Sequence, residues 1–183
     1  MSINIVACVN EDFGLGFQGK LMFHISNDLR RFKFLTDGGY TVYGRETYHS
    51  LPKLFNNRCN VILSKNPDFD INDELKEKYE VIIENDLEKV LNQYKFSGTQ
   101  PRTMWICGGS QIYAQAFPYA DRVFLTIVHT SGQEADAYFP KQELSEFEIT
   151  YRYKEYDEKS GLYYSFINYK RKENVNEIQK HNN

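Results

Sequence analysis

The chain has 183 residues, 41% hydrophobic and 15% aromatic, which is enough apolar material for one sizeable core. A mean hydropathy of -0.60, with no apolar run near the ~18 residues of a membrane span, excludes a membrane-spanning helix. The net charge of -3 and pI near 5.8 give no electrostatic footprint for a nucleic acid.

No Pro/Gly/Ser-rich stretch divides the chain, so a single domain is expected over 1–172, followed by a polar, mobile tail over 173–183. The opening MSINIVACVN lacks the basic-then-apolar pattern of a secretory leader, and a cytoplasmic location is expected. Cys8, Cys59 and Cys107 have no CxxC spacing and lie in apolar segments, which suits buried thiols in a reducing compartment. His24, His49, His129 and His181 show no ligand spacing, so no metal is expected.

In chain order, apolar β-rich periodicity predicts a first strand over 3–9. Next comes Gly14-Leu15-Gly16-Phe17-Gln18-Gly19, a literal GxGxxG. A dinucleotide fingerprint needs its glycines in the tight turn between strand and helix. Here the strand ends near Val9 and the helix begins near Asn27, so the segment reads as a long glycine-hinged loop, either a lid or a plain connection. A helix follows over 27–35 with Ser26 as its N-cap. Asp28 and Phe32, four apart, then share a face with Leu29 close by. An acid on an apolar face is either a ligand-binding or catalytic carboxylate or a simple complement to the helix dipole.

Strands are predicted over 40–44, 59–64, 80–84, 103–108 and 122–128, with helices over 46–51, 87–94 and 111–117 between them. This alternation predicts a mainly parallel sheet covered on both faces, an α/β architecture. Two Tyr-rich strands, 147–156 and 162–170, joined through 157–161, read as a terminal antiparallel hairpin. Ligands of such sheets sit at the carboxyl ends of the strands, here near Val9, Gly44, Ser64 and Gly108. Gly44-Arg45-Glu46-Thr47 and Cys107-Gly108-Gly109-Ser110-Gln111-Ile112-Tyr113 each run from a strand into a helix through glycine, and both suit a phosphate or are ordinary turn chemistry. Leu63-Ser64-Lys65 adds a hydroxyl and a cation at a third strand end.

With these pieces in place the chain resembles the dihydrofolate reductase family over 3–172. The blocks that carry the likeness are IVACVNEDFGLGFQGKL, NDLRRFKFLT, VYGRETYHSLP, RCNVILSK, ICGGSQIY and FLT. The resemblance implies an eight-stranded, three-layer α/β fold with helices on both faces of the sheet. It also implies reduction of 7,8-dihydrofolate by NADPH, in a monomer that binds no nucleic acid and no membrane and is inhibited by antifolates such as methotrexate.

By the same resemblance Asp28 is the sole acid of a pterin pocket, holding the 2-amino and N3 groups and favouring N5 protonation, with Thr126 as its hydroxyl partner. Val6, Cys107 and Ala7 line the pterin and nicotinamide, and Tyr113 lies near the nicotinamide. Leu29, Phe32 and Leu51 wall the rings, while Arg58, with weak help from Lys33, grips the glutamate α-carboxylate. Leu15 and Gly16 fall at the nicotinamide end of the cofactor. Gly44, Arg45, Glu46 and Thr47, with Gly109, Ser110, Gln111 and Ile112, fall at the pyrophosphate. Arg45, Ser64 and Lys65 surround the 2′-phosphate, and Gly108–Gly109 is a cis pair. Leu21-Met22-Phe23 stands where the family has Leu-Pro-Trp, and Ser26 where it has Pro. Two alternatives share the fold: a riboflavin-pathway reductase, which needs neither Asp28 nor Arg58, and a catalytically silent NADPH- or folate-binding module.

Overall fold

The computed structural model describes residues 2–95 and 102–173. Its strands are β1 Ile3–Asn10, β2 Gly14–Phe17, β3 Lys20–Leu21, β4 Tyr40–Gly44, β5 Cys59–Leu63, β6 Val81–Glu84, β7 Met104–Gly108, β8 Arg122–Val128, β9 Ala137–Tyr138, β10 Phe147–Asp157 and β11 Leu162–Arg171. Its α-helices are α1 Ser26–Thr36, α2 Arg45–Ser50, α3 Asp73–Lys78, α4 Leu87–Lys95 and α5 Ser110–Ala116.

An 8-stranded sheet runs in the order β10-β11-β8-β1-β7-β4-β5-β6. Its inner pairs are parallel, while β11 is antiparallel to both β8 and β10. β5 is buried along its whole length and β1 nearly so, which is why both read as unbroken apolar runs rather than alternating ones. On one face Ile5, Val42, Val61 and Leu125 pack with Val90 and Leu91 of α4 and Tyr113 and Ala116 of α5. On the other, Phe32 and Leu35 of α1 pack on Val6, Trp105 and Phe124. Asn60 ties the segment before β5 to its neighbours: its Nδ2 donates to the carbonyls of Phe55, Arg58 and Glu80, and its Oδ1 accepts from Tyr43 Oη and the Phe55 amide.

The helix predicted to begin at an Ser26 N-cap is instead capped by Ile25, with no side-chain capping bond. Ile25 is only 1% exposed. Burying an isoleucine is worth about 1.5–3 kcal/mol against about 1 kcal/mol for a cap, so packing sets the helix start.

The segment expected to be a long loop is an ordered antiparallel sheet, β3-β2-β9. Gln18 (φ 50) and Gly19 (φ 71) both sit at positive φ between the paired Phe17 and Lys20, the two-residue turn that matches strand twist. Gly16 is required by close approach, since a Cβ there would lie 2.7 Å from the Lys20 carbonyl oxygen. The amide of Gln18 donates to Asp136 Oδ2 at 2.7 Å, and that of Asp136 to the Gly16 carbonyl at 3.1 Å. Helix α3, not predicted, starts at Asn72, whose side chain accepts from the Glu74 amide at 2.7 Å. Most of the predicted tail, 174–183, lies outside the described residues.

Candidate active site

The burial of Phe32 and Leu35 turns the Asp28 side of α1 toward β1 and β8. Cys8 and Thr126 face each other across those strands, and Thr126 Oγ1 donates to Asp28 Oδ1 at 2.5 Å. Burial pushes the Asp28 carboxyl above its ordinary range, and the Thr126 bond and the Arg31 charge pull it part of the way back. The same burial, with Asp28 nearby, raises the Cys8 thiol well above its usual range, which leaves it protonated and unreactive.

Arg31 was not singled out in the sequence, although i, i+3 spacing puts it on the side of the helix that carries Asp28. It donates to the Leu125 carbonyl at 3.3 Å and to Asn168 Oδ1 at 2.5 Å, and its guanidinium lies 4.5 Å from the Phe166 ring centroid. Asn27 Nδ2 donates to Tyr164 Oη at 2.9 Å and to Glu155 Oε2 at 3.2 Å, which ties the start of α1 to the terminal hairpin.

Val6 and Ala7 are buried in β1, and the Val6 carbonyl accepts from Tyr113 Oη at 2.9 Å. Cys107 is half-buried in β7 beside Phe32. The Phe32 ring stacks obliquely on Phe55 at 5.0 Å, an aromatic wall of which sequence reading found one half. Leu29 is exposed at 40%, and Leu51 closes α2 over the cluster around Tyr43 and Ile62. Arg58 is buried, donating through Nε to Thr36 Oγ1 and through its terminal nitrogens to the carbonyls of Asn56 and Lys33. The Lys33 side chain is exposed. A guanidinium has five N–H donors, so these bonds fix its plane while part of the fork stays available to a carboxylate.

The two glycine turns face each other. A Cβ on Gly44 would lie 3.4 Å from Ile112 Cγ1, and one on Gly109 would lie 3.5 Å from Thr47 Oγ1. Thus Arg45, Glu46 and Thr47 on one side and Ser110, Gln111 and Ile112 on the other flank one cradle, a fit for an extended diphosphate. The Gly108–Gly109 peptide is cis, and Gly108 has φ 121. Arg45 is bonded to Glu46 at 2.9 Å in an exposed pair, worth about 0–1 kcal/mol and readily exchanged for a phosphate. Ser64 is buried with Oγ accepting from the Asn66 amide, and Lys65 is exposed beside it. Leu15 and Gly16 lie in β2, with Leu15 packed against the main core. Among the described residues no cluster could hold a metal ion, and no helix is long and apolar enough to cross a membrane.

A buried acid beside an aromatic wall, next to a diphosphate cradle on parallel strand ends, defines a site for a flat heterocycle alongside a nucleotide cofactor. The dihydrofolate reductase family model matches residues 2–171. The dihydrofolate reductase of Bacillus subtilis (strain 168) is 30% identical over 171 residues, covering 93% of this chain and 95% of that protein. Dihydrofolate reductase type 3 of Salmonella typhimurium is 32% identical over 140 residues, 76% of this chain and 79% of its own. Among solved structures, dihydrofolate reductase from Enterococcus faecalis complexed with NADP(H) and RAB-propyl superposes with a TM-score of 0.80 at 25% identity, covering 94% of this chain and 97% of that one. The chain belongs to the dihydrofolate reductase family.

Proposed function

We propose that Asp28 is the acid around which this chain carries out the family's reaction, the NADPH-dependent reduction of 7,8-dihydrofolate to 5,6,7,8-tetrahydrofolate. When bound, NADPH supplies the hydride that goes to C6 of the pterin. The observation that carries the residue-level reading is the buried Asp28 carboxyl held by Thr126. Asp28 accepts from the 2-amino and N3 groups of the pterin, and its negative charge favours a proton on N5. Thr126 fixes the orientation of that carboxyl, while the Val6 and Cys107 carbonyls and Ala7 line the heterocycle on the sheet side. Phe32, Leu29 and Leu51 exclude water from the ring faces. Arg58, with Lys33 near the mouth, meets the α-carboxylate of the glutamyl tail through its free N–H groups.

For the cofactor, Leu15 and Gly16 of β2 and Tyr113 border the nicotinamide. The cradle between Gly44–Thr47 and Gly108–Ile112 takes the pyrophosphate. Arg45, Ser64 and Lys65 supply donors and charge for a 2′-phosphate, which selects NADPH over NADH. The protein is a single-domain cytoplasmic monomer over 1–172 with no nucleic-acid partner.

Steady-state NADPH oxidation in the presence of dihydrofolate tests the reading. Turnover that is lost in an Asp28→Asn variant and retained poorly with NADH supports it. Folded protein that binds both ligands without turnover would instead be a silent binding module.

A further inference from the structure

An arginine in the middle of an amphipathic helix ordinarily extends its guanidinium into water. Arg31 of α1 is half-buried instead, laid across β8 and β11. One terminal nitrogen donates to the Leu125 carbonyl at 3.3 Å and the other to Asn168 Oδ1 at 2.5 Å. The guanidinium lies 4.5 Å from the ring centroid of Phe166 and 5.7 Å from that of Phe124. A cation so placed loses much of its hydration, and neutral acceptors and ring faces return only part of it. Burial accordingly lowers the Arg31 guanidinium from its ordinary range, while Asp28, and after it Tyr151, acts against that.

This arrangement leaves acceptors on Asp28 uncommitted. A fork-to-fork Arg–Asp pair would occupy both carboxylate oxygens, which a pair of donors on a heterocycle needs. Here Thr126 Oγ1 bonds Asp28 Oδ1, and the guanidinium is tied to Leu125 and Asn168 instead. Its charge then reaches Asp28 through the protein interior, where salt screens little. The other titratable groups in the field of Asp28 are the Cys8 thiol of β1 and the Tyr113 hydroxyl of α5, and burial holds both protonated. Tyr151 of β10 faces Arg31 rather than Asp28. Arg31 is therefore the cation that opposes the burial of Asp28. The same side chain also reaches the hydroxyl. Leu125 immediately precedes Thr126 in β8, so the bond to its carbonyl fixes the peptide unit from which Thr126 extends to Asp28.

We infer that Arg31 is a positioning residue for the reaction: acting through Asp28 and Thr126 rather than on the substrate, it supplies the counter-charge of the pterin-binding carboxylate and anchors the peptide that aims its hydroxyl partner. This rests on the role of Asp28 proposed above and deepens it. Holding the cation off with neutral acceptors gives the carboxylate a charge partner without taking the lone pairs that a substrate requires.

The test follows kcat/KM for dihydrofolate across the pH range in the full chain and three variants, because the limbs of that profile report essential groups of the free enzyme. Arg31→Gln keeps a donor and removes the charge, and its limb should move to higher pH by about 1 unit, the lower end of the effect of an opposite charge. Arg31→Lys keeps the charge but cannot span both acceptors, so its limb should stay at the parental pH while the plateau falls. Asn168→Asp keeps the fork and neutralises it with a carboxylate; it should move the limb in the same direction as Arg31→Gln, and it carries the test if that variant does not fold. An NMR titration of the Asp28 carboxyl carbon in ligand-free protein should show the same shifts without turnover. An unmoved limb and an unmoved Asp28 titration in either folded charge-removing variant would overturn the inference and leave Arg31 a structural tie, as would an equal shift in Arg31→Lys. Those results leave the assignment of Asp28 standing. Absence of turnover in the parent would strike that assignment, and the NMR titration would then decide on Arg31 alone.

Discussion

Asp28→Asn separates what the site costs the fold from what it does for the reaction. The Asp28 carboxyl is raised in the folded protein, chiefly by burial, with the Thr126 bond and Arg31 acting in the opposite sense. A carboxyl that holds its proton more tightly when folded than when unfolded lowers stability as pH rises from about 4, the unfolded value, through the folded value. Above that window the penalty is complete, and below it the penalty is gone. Each pK unit corresponds to about 1.4 kcal/mol. At about 2–4 °C per kcal/mol for a chain of this size, each unit is worth about 3–6 °C in Tm.

The substitution keeps an acceptor for Thr126 at position 28. Arg31, losing a charge partner, keeps the Leu125 carbonyl, Asn168 and two aromatic faces. The variant should therefore melt higher than the parent at neutral pH, with the difference shrinking to zero by about pH 4. Its NADPH oxidation rate should fall about 10²- to 10⁴-fold at neutral pH, the usual contribution of a positioned acid or base, and recover in part as solution protons replace the missing charge. Calorimetric melts and initial rates across the same pH series measure both. A variant less stable than the parent at neutral pH, or a Tm difference independent of pH, would refute the account of Asp28 as a costly buried carboxylate. Undiminished turnover would refute its role in the reaction.

Thr126→Val is close to isosteric and removes the donor to Asp28, a bond to a charged group worth about 1.5–3 kcal/mol. It should move the pH profile of kcat/KM upward and cost about tenfold or more at neutral pH, and an unshifted profile would uncouple the two residues. Arg58→Lys cannot reach Thr36, Asn56 and Lys33 at once, so Tm should drop by several degrees while the KM for dihydrofolate rises about tenfold with kcat nearly unchanged. An unaltered substrate KM would leave Arg58 a purely structural residue. Lys65→Gln should raise the KM for NADPH several-fold and leave that for NADH unchanged, since the 2′-phosphate alone distinguishes them. Equal increases for both cofactors would place Lys65 elsewhere on the nucleotide.

The parallel sheet was legible because its strands are buried on both faces and read as unbroken apolar runs, as in CNVIL of β5. Asp28 stood out because i, i+4 spacing sets it beside Phe32, a local rule that needs no knowledge of the rest of the chain. What escaped depends on residues far away in sequence. The β2–β3 hairpin is completed by Asp136 and Ala137, so its glycines looked like hinges when Gly14 and Gly16 are close-contact positions and Gly19 is a turn residue at positive φ. Arg31 gave no signal because Phe166 and Asn168, which receive it, lie on a strand formed at the end of the chain. Ser26 had the chemistry of a cap, but the burial of Ile25 outweighed it.

These long-range ties explain why one helix carries so much of the site. α1 is held at its start by Asn27 on Tyr164 and Glu155, at its middle by Arg31 on Leu125 and Asn168, and near its end by Arg58 on the Lys33 carbonyl and Thr36. Asp28 lies between the first two of these anchors, so its carboxyl cannot shift without loosening bonds to both β8 and β11. A buried charge keeps its orientation only where its surroundings are fixed this firmly, because relaxation would otherwise bring in water and restore an ordinary carboxylate. The terminal hairpin is for that reason part of the proposed site in energetic terms. Its β10 edge is the exposed strand, and the ties to α1 run from β11 and from Glu155, which is half-buried on that edge.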